Sequence, residues 1–300
     1  DVAEDLSGSF EGIGAEIGMK NDILTIIAPL PDMPAEKAGL KAGDKVLFID
    51  EESTMGISVD EAVTKIRGPK NSDVVLTISR NGLEGGQDIT ITRGKIVVKS
   101  IRTEMREDGV YMVRITNFND DTKNLFNEAI QEILEANPAG IILDLRNNPG
   151  GYLDTAIEVS SEWVEDGPIV IERYGENEFG DPVQNEHLAR GRARLKDYKT
   201  VVLVNQGSAS ASEIVSGALQ DYDLAEVVGQ QTFGKGSVQT LTSLEDGSSI
   251  KITVAKWLTP EGRSINDEGI TPDHVIEYTI EDFQADIYPQ FDLALELILG

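Results

Sequence analysis

Apolar and polar positions in the first third of the chain follow the period of two that favours β-strands. Asp73 to Arg80 (DVVLTISR) and Asp88 to Arg93 (DITITR) alternate at this period, with Asn81-Gly82 as turn material between them. Asp22 to Pro29 (DILTIIAP) and Lys45 to Ile49 (KVLFI) are apolar runs of strand length. This region is therefore predicted to be rich in β-strands.

Two helical segments interrupt these strands. A short helix is predicted near Glu36 to Ala42, and a longer one from Val59 to Ile66. Ser58 lies at the N-cap position of the longer helix, and Glu61 follows three residues later, which is the spacing of a capping box. The cap therefore predicts where the longer helix begins.

The remaining two thirds of the chain alternate apolar strand-like runs with segments of helical periodicity. This alternation indicates crossover units and a partly parallel sheet. The predicted strands are Tyr111 to Ile115, Gly140 to Leu145, Pro168 to Glu172, Thr200 to Asn205 and Ser249 to Lys256. The predicted helices are Thr122 to Ala136, Ala156 to Glu165 and Ser210 to Leu219. Residues 174–194 are acidic and glycine-rich with no clear period, which predicts an exposed flap or loop.

The composition fits two soluble domains and argues against several classes of function. The length of 300 residues and the 40% hydrophobic content allow each domain to bury a core of its own. The net charge of -27 repels nucleic acid and anionic membranes, so neither is predicted as a partner. The chain has no cysteine, which excludes a cysteine nucleophile, a disulfide framework and thiolate metal ligands.

Histidine chemistry is also weakly supported. The only histidines are His187 and His274, and neither has a partner at a metal-ligand spacing. We therefore predict no metal ion and no organic cofactor, and a hydrolytic enzyme with this sequence would need a base other than histidine.

The segment GSASASEI, Gly207 to Ile214, lies between a predicted buried strand and a predicted helix. A serine at such a junction lies at the positive end of the helix dipole, where backbone N–H groups can stabilise an oxyanion. Ser210 is therefore a candidate nucleophile. Ser210 and Glu213 also have the spacing of a capping box, so this motif alone leaves a purely structural role open.

The segment FGKGSVQ, Phe233 to Gln239, places Lys235 between two glycines with apolar residues nearby in sequence. A lysine acts as a general base only when it is neutral, and burial among apolar groups favours the neutral form. Gln239 lies four positions further on, where its amide oxygen could orient the amine without adding charge. A surface lysine beside a flexible turn is the alternative interpretation.

The segment DLRNNPGG, Asp144 to Gly151, follows the strand GIILDL directly. Its two glycines allow the backbone to approach a ligand closely. Their N–H groups could form an oxyanion hole together with the N–H group of Ala211, although a plain Pro-Gly turn has the same sequence pattern.

These three motifs, in this order, resemble the carboxyl-terminal processing peptidases, also called tail-specific proteases, of family S41. The 25 positions between Ser210 and Lys235 are typical of that family. The resemblance covers most of the chain and includes SGSFEGIGAEIG, AGLKAGDKV, LDLRNNPGG, GSASASEI, FGKGSVQ and TPEGRSINDEGITPD. Taken together, these segments are far more specific than any one motif.

The resemblance implies a mixed α/β fold with two domains. A PDZ domain would occupy residues 8–94, after an N-terminal remnant of residues 1–7. A peptidase core related to the ClpP and crotonase folds would occupy residues 95–300.

The resemblance also implies roles for individual residues of the core. Ser210 is the serine of its cluster that aligns with the nucleophile of the family. Lys235 would then be the general base, and Gln239 would orient it. The oxyanion hole would be formed by the N–H group of Ala211 and that of Gly150 or Gly151, between which the resemblance does not choose.

The first domain would capture the carboxyl-terminal tail of a substrate. The segment Gly12, Ile13, Gly14 and Ala15 would supply N–H groups to the terminal carboxylate, and the adjoining strand would pair with the tail. In this family the PDZ domain also gates the active site, and Arg67 is a candidate contact in that switch. As a cation at a helix end, Arg67 also fits a purely structural role.

The predicted partners are proteins or peptides with free carboxyl termini. The family implies an extracytoplasmic location, in the periplasm or cell envelope, and leaves room for a membrane anchor outside this sequence and for a homodimer. Two alternatives belong to other classes: a non-catalytic PDZ protein that tethers tails, and a crotonase-like enzyme acting on acyl thioesters. Cleavage of an unstructured protein would distinguish a peptidase from the first alternative. Binding of coenzyme A would favour the second alternative.

Overall fold

A computed structural model describes residues 9–20, 22–30, 32–80, 85–97, 99–243, 249–279, 282, 285 and 287–300. The chain divides into two compact units, Asp1–Val98 and Lys99–Gly300. The predicted mixed α/β class is confirmed at this level.

The first unit contains an antiparallel sheet, as its alternating pattern predicts. Along this sheet the strands are β2 (Ala15–Lys20), β3 (Ile23–Pro29), β4 (Lys45–Ile49), β6 (Asp73–Ser79) and β7 (Gln87–Thr92), and β5 (Glu52–Ser53) pairs with β4. A second pair joins β1 (Ser9–Gly12) to β8 (Gly94–Val97). Alternate residues of β6, namely Val74, Leu76 and Ile78, are fully buried in the core of this unit.

Two helices complete the first unit. Helix α2 (Val59–Ile66) has the predicted bounds and begins with the capping box of Ser58 and Glu61. Helix α1 (Pro34–Lys37) is shorter than predicted and starts earlier, because Pro34 opens it and Gly39, at φ +90°, cannot continue it. The predicted turn at Asn81-Gly82 lies outside the described residues.

The second unit is built on a six-stranded sheet that is mainly parallel. Its strands, from one edge to the other, are β18 (His274–Val275), β15 (Glu226–Gly229), β14 (Thr200–Val204), β11 (Gly140–Asp144), β10 (Val110–Ile115) and β9 (Ile101–Met105). All neighbours pair in parallel except β9 and β10. The prediction of a partly parallel sheet with helical crossovers is therefore confirmed.

Helices cover both faces of this sheet. Helices α3 (Thr122–Ala136), α4 (Leu153–Ser160) and α5 (Ala211–Asp221) pack on the face formed by Leu143 and Val202. Helix α6 (Pro289–Leu299) packs on the opposite face, formed by Ile142 and Leu203. Burial on both faces explains why β11 and β14 are apolar at every position except Asp144 and Thr200.

A separate antiparallel sheet contains β13 (Pro182–Leu188), β12 (Pro168–Glu176), β17 (Ser249–Leu258) and β16 (Ser237–Ser243). Residues 168–172, which are predicted as a strand, form the buried part of β12. The end of β12 and all of β13 form an exposed hairpin within residues 174–194, where the sequence predicts a loop, because strand pairing there does not depend on a buried face. Helix α4 ends earlier than predicted, since buried Trp163 and Val164 continue its apolar period in a turn. None of the described helices is long and apolar enough to cross a membrane.

Candidate active site

The three motif-bearing loops of the second unit follow three adjacent parallel strands. Residues 145–151 follow β11, residues 205–210 follow β14, and residues 230–236 follow β15. Carboxyl ends of parallel strands lie at one edge of the sheet, which is where open α/β sheets bind their ligands. The candidate active site therefore lies at this edge.

Ser210 occupies a strained turn at the start of α5. Its backbone has φ +55° and ψ −115°, a combination that residues with a side chain rarely adopt. The residue is 8% exposed, and its Oγ faces the N–H group of Glu213 as in a capping box, without making a cap hydrogen bond to it. The hydroxyl oxygen is thus directed at the helix start, and no described residue accepts the hydroxyl proton.

The two neighbouring serines have structural roles that Ser210 lacks. Ser208 Oγ donates to Leu145 O at 2.8 Å, and Ser212 Oγ donates to Asn148 O at 2.9 Å. Both hydroxyl groups thus tie the serine turn to the loop after β11. Within the described part of the chain, Ser210 Oγ makes no such bond.

Gly150 lies directly against the serine turn. A methyl group at this position would lie 2.7 Å from both Ala209 O and Ser210 Cβ, and φ is +100°. The N–H group of Gly150 donates to Asn148 Oδ1 at 2.9 Å. Only glycine fits here, and its N–H group is already engaged.

Two other N–H groups near Ser210 remain without an acceptor among the described residues. One belongs to Ala211, the first residue of α5, and the other to Gly151. Gly151 bridges to Phe118, whose N–H group and carbonyl group bond to the two neighbours of the glycine. Ala211 and Gly151 are therefore the residues of the predicted oxyanion set whose N–H groups are available.

Lys235 lies between two glycines that pack closely against another segment. A side chain at Gly236 would overlap the backbone of Asn266, and one at Gly234 would lie 3.0 Å from the carbonyl carbon of Asp267. Asp267 N also donates to Gly234 O at 2.9 Å. The lysine is therefore on a segment fixed by backbone packing rather than in a loose turn.

The side chain of Lys235 is exposed, and so is Phe233, at 68%. Within the described residues no hydrogen bond joins Lys235 to the hydroxyl group of Ser210. The apolar burial that the sequence suggested for the amine is thus not present in this structure. The backbone of Gln239 pairs with Thr253 in the sheet, and the Gln239 side chain lies outside the described part of the chain.

Glu213 links the serine turn to the lysine segment, a role that the sequence did not reveal. Its carboxylate is fully buried and accepts hydrogen bonds from the N–H groups of Ser210, at 2.7 Å, and Lys235, at 3.0 Å. The sequence spacing assigned it only to a cap. The available signal was that Glu213 is the only charged residue in the stretch 207–219.

Both histidines are engaged elsewhere. His187 Nε2 lies 3.0 Å from Glu172 Oε2 within the second sheet, and His274 on β18 pairs with Glu226 at 2.6 Å. Among the described residues neither histidine contacts Ser210, so the geometry does not support a Ser-His-Asp triad.

The predicted carboxylate-binding segment of the first unit forms a tight turn. Gly12 ends β1, Ala15 begins β2, and Ile13 and Gly14 lie between them. The carbonyl groups of Ile13 and Gly14 accept backbone hydrogen bonds of 2.7 and 2.9 Å, while their N–H groups have no acceptor among the described residues. Two adjacent donors are thus available to bind an acceptor.

Arg67 lies beside this turn. Its guanidinium carbon is 4.5 Å from the centre of the Phe10 ring, a cation–π arrangement. A methyl group at Gly12 would lie 3.8 Å from Arg67 Cγ. Arg67 is the C-cap residue of α2, so the helix end brings a positive charge close to the turn.

The chain belongs to peptidase family S41, whose model matches residues 109–276, more than half of the chain. A PDZ domain model matches residues 3–79. The predicted family and the predicted pairing of a PDZ domain with an S41 core are confirmed.

Curated relatives agree with this assignment. The chain is 40% identical to a carboxyl-terminal-processing protease of Synechocystis over 303 residues, which covers 98% of this chain and 70% of the relative. It is 41% identical to a CtpA-like serine protease of Staphylococcus haemolyticus over 271 residues, or 90% of this chain and 53% of the relative. The chain thus spans about half the length of several of the relatives it matches.

Among solved structures, the chain is similar to the photosystem II D1 C-terminal processing protease. The TM-score is 0.57 and the identity 30%, over 90% of this chain and 73% of that one. The tricorn protease shares the fold at a TM-score of 0.54 and 19% identity, over 96% of this chain and 29% of that one.

Proposed function

We propose that this chain is the PDZ and catalytic part of a serine endopeptidase that cleaves proteins near unstructured carboxyl-terminal tails. The observation that carries the proposal concerns the three serines of one turn. The hydroxyl groups of Ser208 and Ser212 donate to carbonyl groups, while no described residue accepts the proton of Ser210 Oγ. The N–H groups of Ala211 and Gly151 also have no acceptor among the described residues. A nucleophile needs this arrangement, and a helix cap does not.

In the proposed reaction, Ser210 Oγ attacks the scissile carbonyl carbon while its proton passes to the neutral amine of Lys235. The charge on the carbonyl oxygen is stabilised by the N–H groups of Ala211 and Gly151, since that of Gly150 is engaged by Asn148. Collapse of the tetrahedral intermediate breaks the C–N bond, and protonated Lys235 gives its proton to the leaving amine. Water then attacks the carbonyl carbon of the acyl-enzyme while Lys235 takes its proton. Collapse of this second intermediate breaks the bond to Ser210 Oγ, which regains its proton from Lys235, and the new carboxyl terminus leaves.

Lys235 must approach Ser210 for this step, and Gln239 is proposed to orient it there. A bound substrate would cover the amine, which is exposed in the free protein, and exclude water from it. Apo active sites commonly have longer catalytic hydrogen bonds than the substrate complex. Arrival of substrate would then complete the site.

The PDZ unit is proposed to select the tail. The N–H groups of Ile13 and Gly14 would bind the terminal carboxylate, within the segment Gly12 to Ala15, and Arg67 would add a positive charge beside them. An extracytoplasmic location is also proposed, and it rests on membership of the family alone. A membrane anchor outside this sequence and a homodimer would be compatible with that location.

The test is cleavage of casein, an unstructured protein, by this chain and by Ser210→Ala and Lys235→Ala. We expect cleavage by the unaltered chain and loss of at least about a thousandfold in rate for both variants, with casein binding retained. Binding without cleavage by the unaltered chain would favour a tethering protein. Cleavage that survives Ser210→Ala would refute the assignment.

A further inference from the structure

Glu213 is a buried carboxylate that holds two loops with four hydrogen bonds. Its Oε1 accepts from Thr232 Oγ1 at 2.7 Å and from Gly234 N at 2.6 Å. Its Oε2 accepts from Ser210 N at 2.7 Å and from Lys235 N at 3.0 Å. One side chain therefore contacts the backbone of the proposed nucleophile and the backbone of the proposed base.

The carboxylate of Glu213 is surrounded by uncharged hydrogen-bond donors. Its exposure is 0%, and no lysine, arginine or histidine of the described residues lies within salt-bridge distance. Burying a carboxylate without a cation is costly unless hydrogen bonds fully satisfy it, and here each oxygen accepts two. Helix capping needs only the bond to Ser210 N, so three of the four bonds serve another purpose.

Thr232 extends this arrangement to a third segment. While its hydroxyl group donates to Glu213, the same oxygen accepts from Ile270 N at 2.7 Å. Residues 265–270 are the segment against which Gly234 and Gly236 pack. The carboxylate, the threonine and this segment thus enclose the lysine loop from two sides.

We propose that Glu213 is a positioning residue that sets the distance between Ser210 and Lys235, with Thr232 fixing the carboxylate. The inference rests on the proposed serine–lysine function. Because Glu213 is fully buried, it does not touch the substrate and acts only through the two backbones that it holds. A displacement of about 1 Å between reacting groups costs on the order of a hundredfold in rate.

The first test is Glu213→Gln with a fluorogenic peptide substrate. Glutamine has the same shape, but one of its two terminal groups is an N–H donor and would face N–H donors of one loop. We expect kcat to fall about a hundredfold while KM stays within about twofold, since substrate binding is untouched.

Glu162→Gln is the matched control. Glu162 is also buried, at 1% exposure, but it accepts hydrogen bonds from Arg192 and Arg194, away from Ser210. We expect this variant to unfold at a lower temperature while keeping its kcat. Equal losses of kcat in the two variants would reduce Glu213 to a general stabilising residue and overturn the proposal.

Thr232 supplies a second pair of variants in case Glu213→Gln does not fold. Thr232→Ser keeps the hydroxyl group that bridges Ile270 and Glu213, whereas Thr232→Val removes it at similar size. We expect kcat near the unaltered value for the serine and a fall of about tenfold or more for the valine. Equal activity of the serine and valine variants would contradict the role of Thr232.

Hydrogen–deuterium exchange of residues 231–238 separates this inference from the proposed function, because it requires no activity. We expect faster exchange of the N–H groups of Gly234 and Lys235 in Glu213→Gln, and no change there in Glu162→Gln. If the unaltered chain cleaves nothing, the proposed function fails, and the exchange rates alone decide whether Glu213 holds the two loops. Exchange rates and a kcat that are both unchanged in Glu213→Gln would overturn the inference about Glu213.

Discussion

Helices α2 and α5 both begin after a serine with a glutamate three residues further on, and the two pairs behave differently. At Ser58 the backbone has φ −76°, Oγ accepts from Glu61 N at 3.2 Å, and Glu61 Oε2 accepts from Ser58 N at 3.1 Å. At Ser210 φ is +55°, Ser210 N donates to Glu213 Oε2 at 2.7 Å, and Oγ faces Glu213 N as in a capping box without making a cap hydrogen bond. The first pair is therefore closed by two side-chain hydrogen bonds, whereas the second is closed by one.

The glutamates differ in the same way. Glu61 is exposed, and its hydrogen bonds stay within its own helix start. Glu213 is buried and bonds to residues 19, 21 and 22 positions further along the chain. The comparison shows that backbone conformation and burial, rather than sequence spacing, distinguish the two Ser-x-x-Glu pairs.

Apart from replacement of Ser210 itself, the largest expected effect on this comparison comes from closing the space beside Ser210. Gly150→Ala would place a methyl group 2.7 Å from Ser210 Cβ and 2.9 Å from Ala211 N, at a φ of +100°. The two loops must then separate, so we expect kcat/KM for a peptide substrate to fall at least about a hundredfold.

Gly43→Ala is the control for backbone strain alone. Gly43 has a similar φ of +87°, and no heavy atom lies within 4 Å of an added methyl group. We expect a loss of about 1–2 kcal/mol in stability and no change in kcat/KM. If Gly150→Ala were as active as Gly43→Ala, close contact between the loop after β11 and the turn at Ser210 would not be needed for activity.

The smallest expected effect concerns the pair Ser58 and Glu61, whose contribution to stability depends on pH. Hydrogen bonds from the backbone and side chain of Ser58, helped by Lys65, hold the pKa of Glu61 below its ordinary value of 4.5. Because the folded-state pKa is lowered, this contribution to stability is present above about pH 4.5 and is lost as the pH falls through the folded-state pKa.

Glu61→Gln should therefore lower the Tm by about 1–2 °C at pH 7 and leave it nearly equal to that of the unaltered chain at pH 3. Calorimetry at the two pH values measures this difference. A gap that is the same at both pH values would mean that the charge on Glu61 contributes nothing to the cap.

Local sequence patterns predicted those parts of the fold that depend on local interactions. The bounds of α2, α3 and β4 agree with the prediction, because caps and periodicity determine them. Helix α6 was not predicted, and its packing on Ile142 and Leu203 depends on the assembled sheet. The end of β12 and all of β13 are exposed and carry no apolar alternation, so this hairpin was predicted as a loop.

The same limit applies to the candidate site. The serine, lysine and glycine motifs each follow a strand of the parallel sheet, so their loops lie at one edge of that sheet. The difference between Gly150 and Gly151 depends on a single hydrogen bond from Gly150 N to Asn148 Oδ1, which the sequence does not encode locally. The exposure of Lys235 and the bonds of Glu213 also arise from contacts between distant segments.

The most direct test of the central claim is cleavage of one peptide substrate by Ser208→Ala, Ser210→Ala and Ser212→Ala. Ser208 and Ser212 each lose a hydrogen bond to a buried carbonyl group, so we expect about 1–3 kcal/mol less stability and activity within about tenfold of the unaltered chain. Ser210→Ala should keep its stability and lose at least about a thousandfold in kcat/KM. Comparable activity in all three variants would contradict the account.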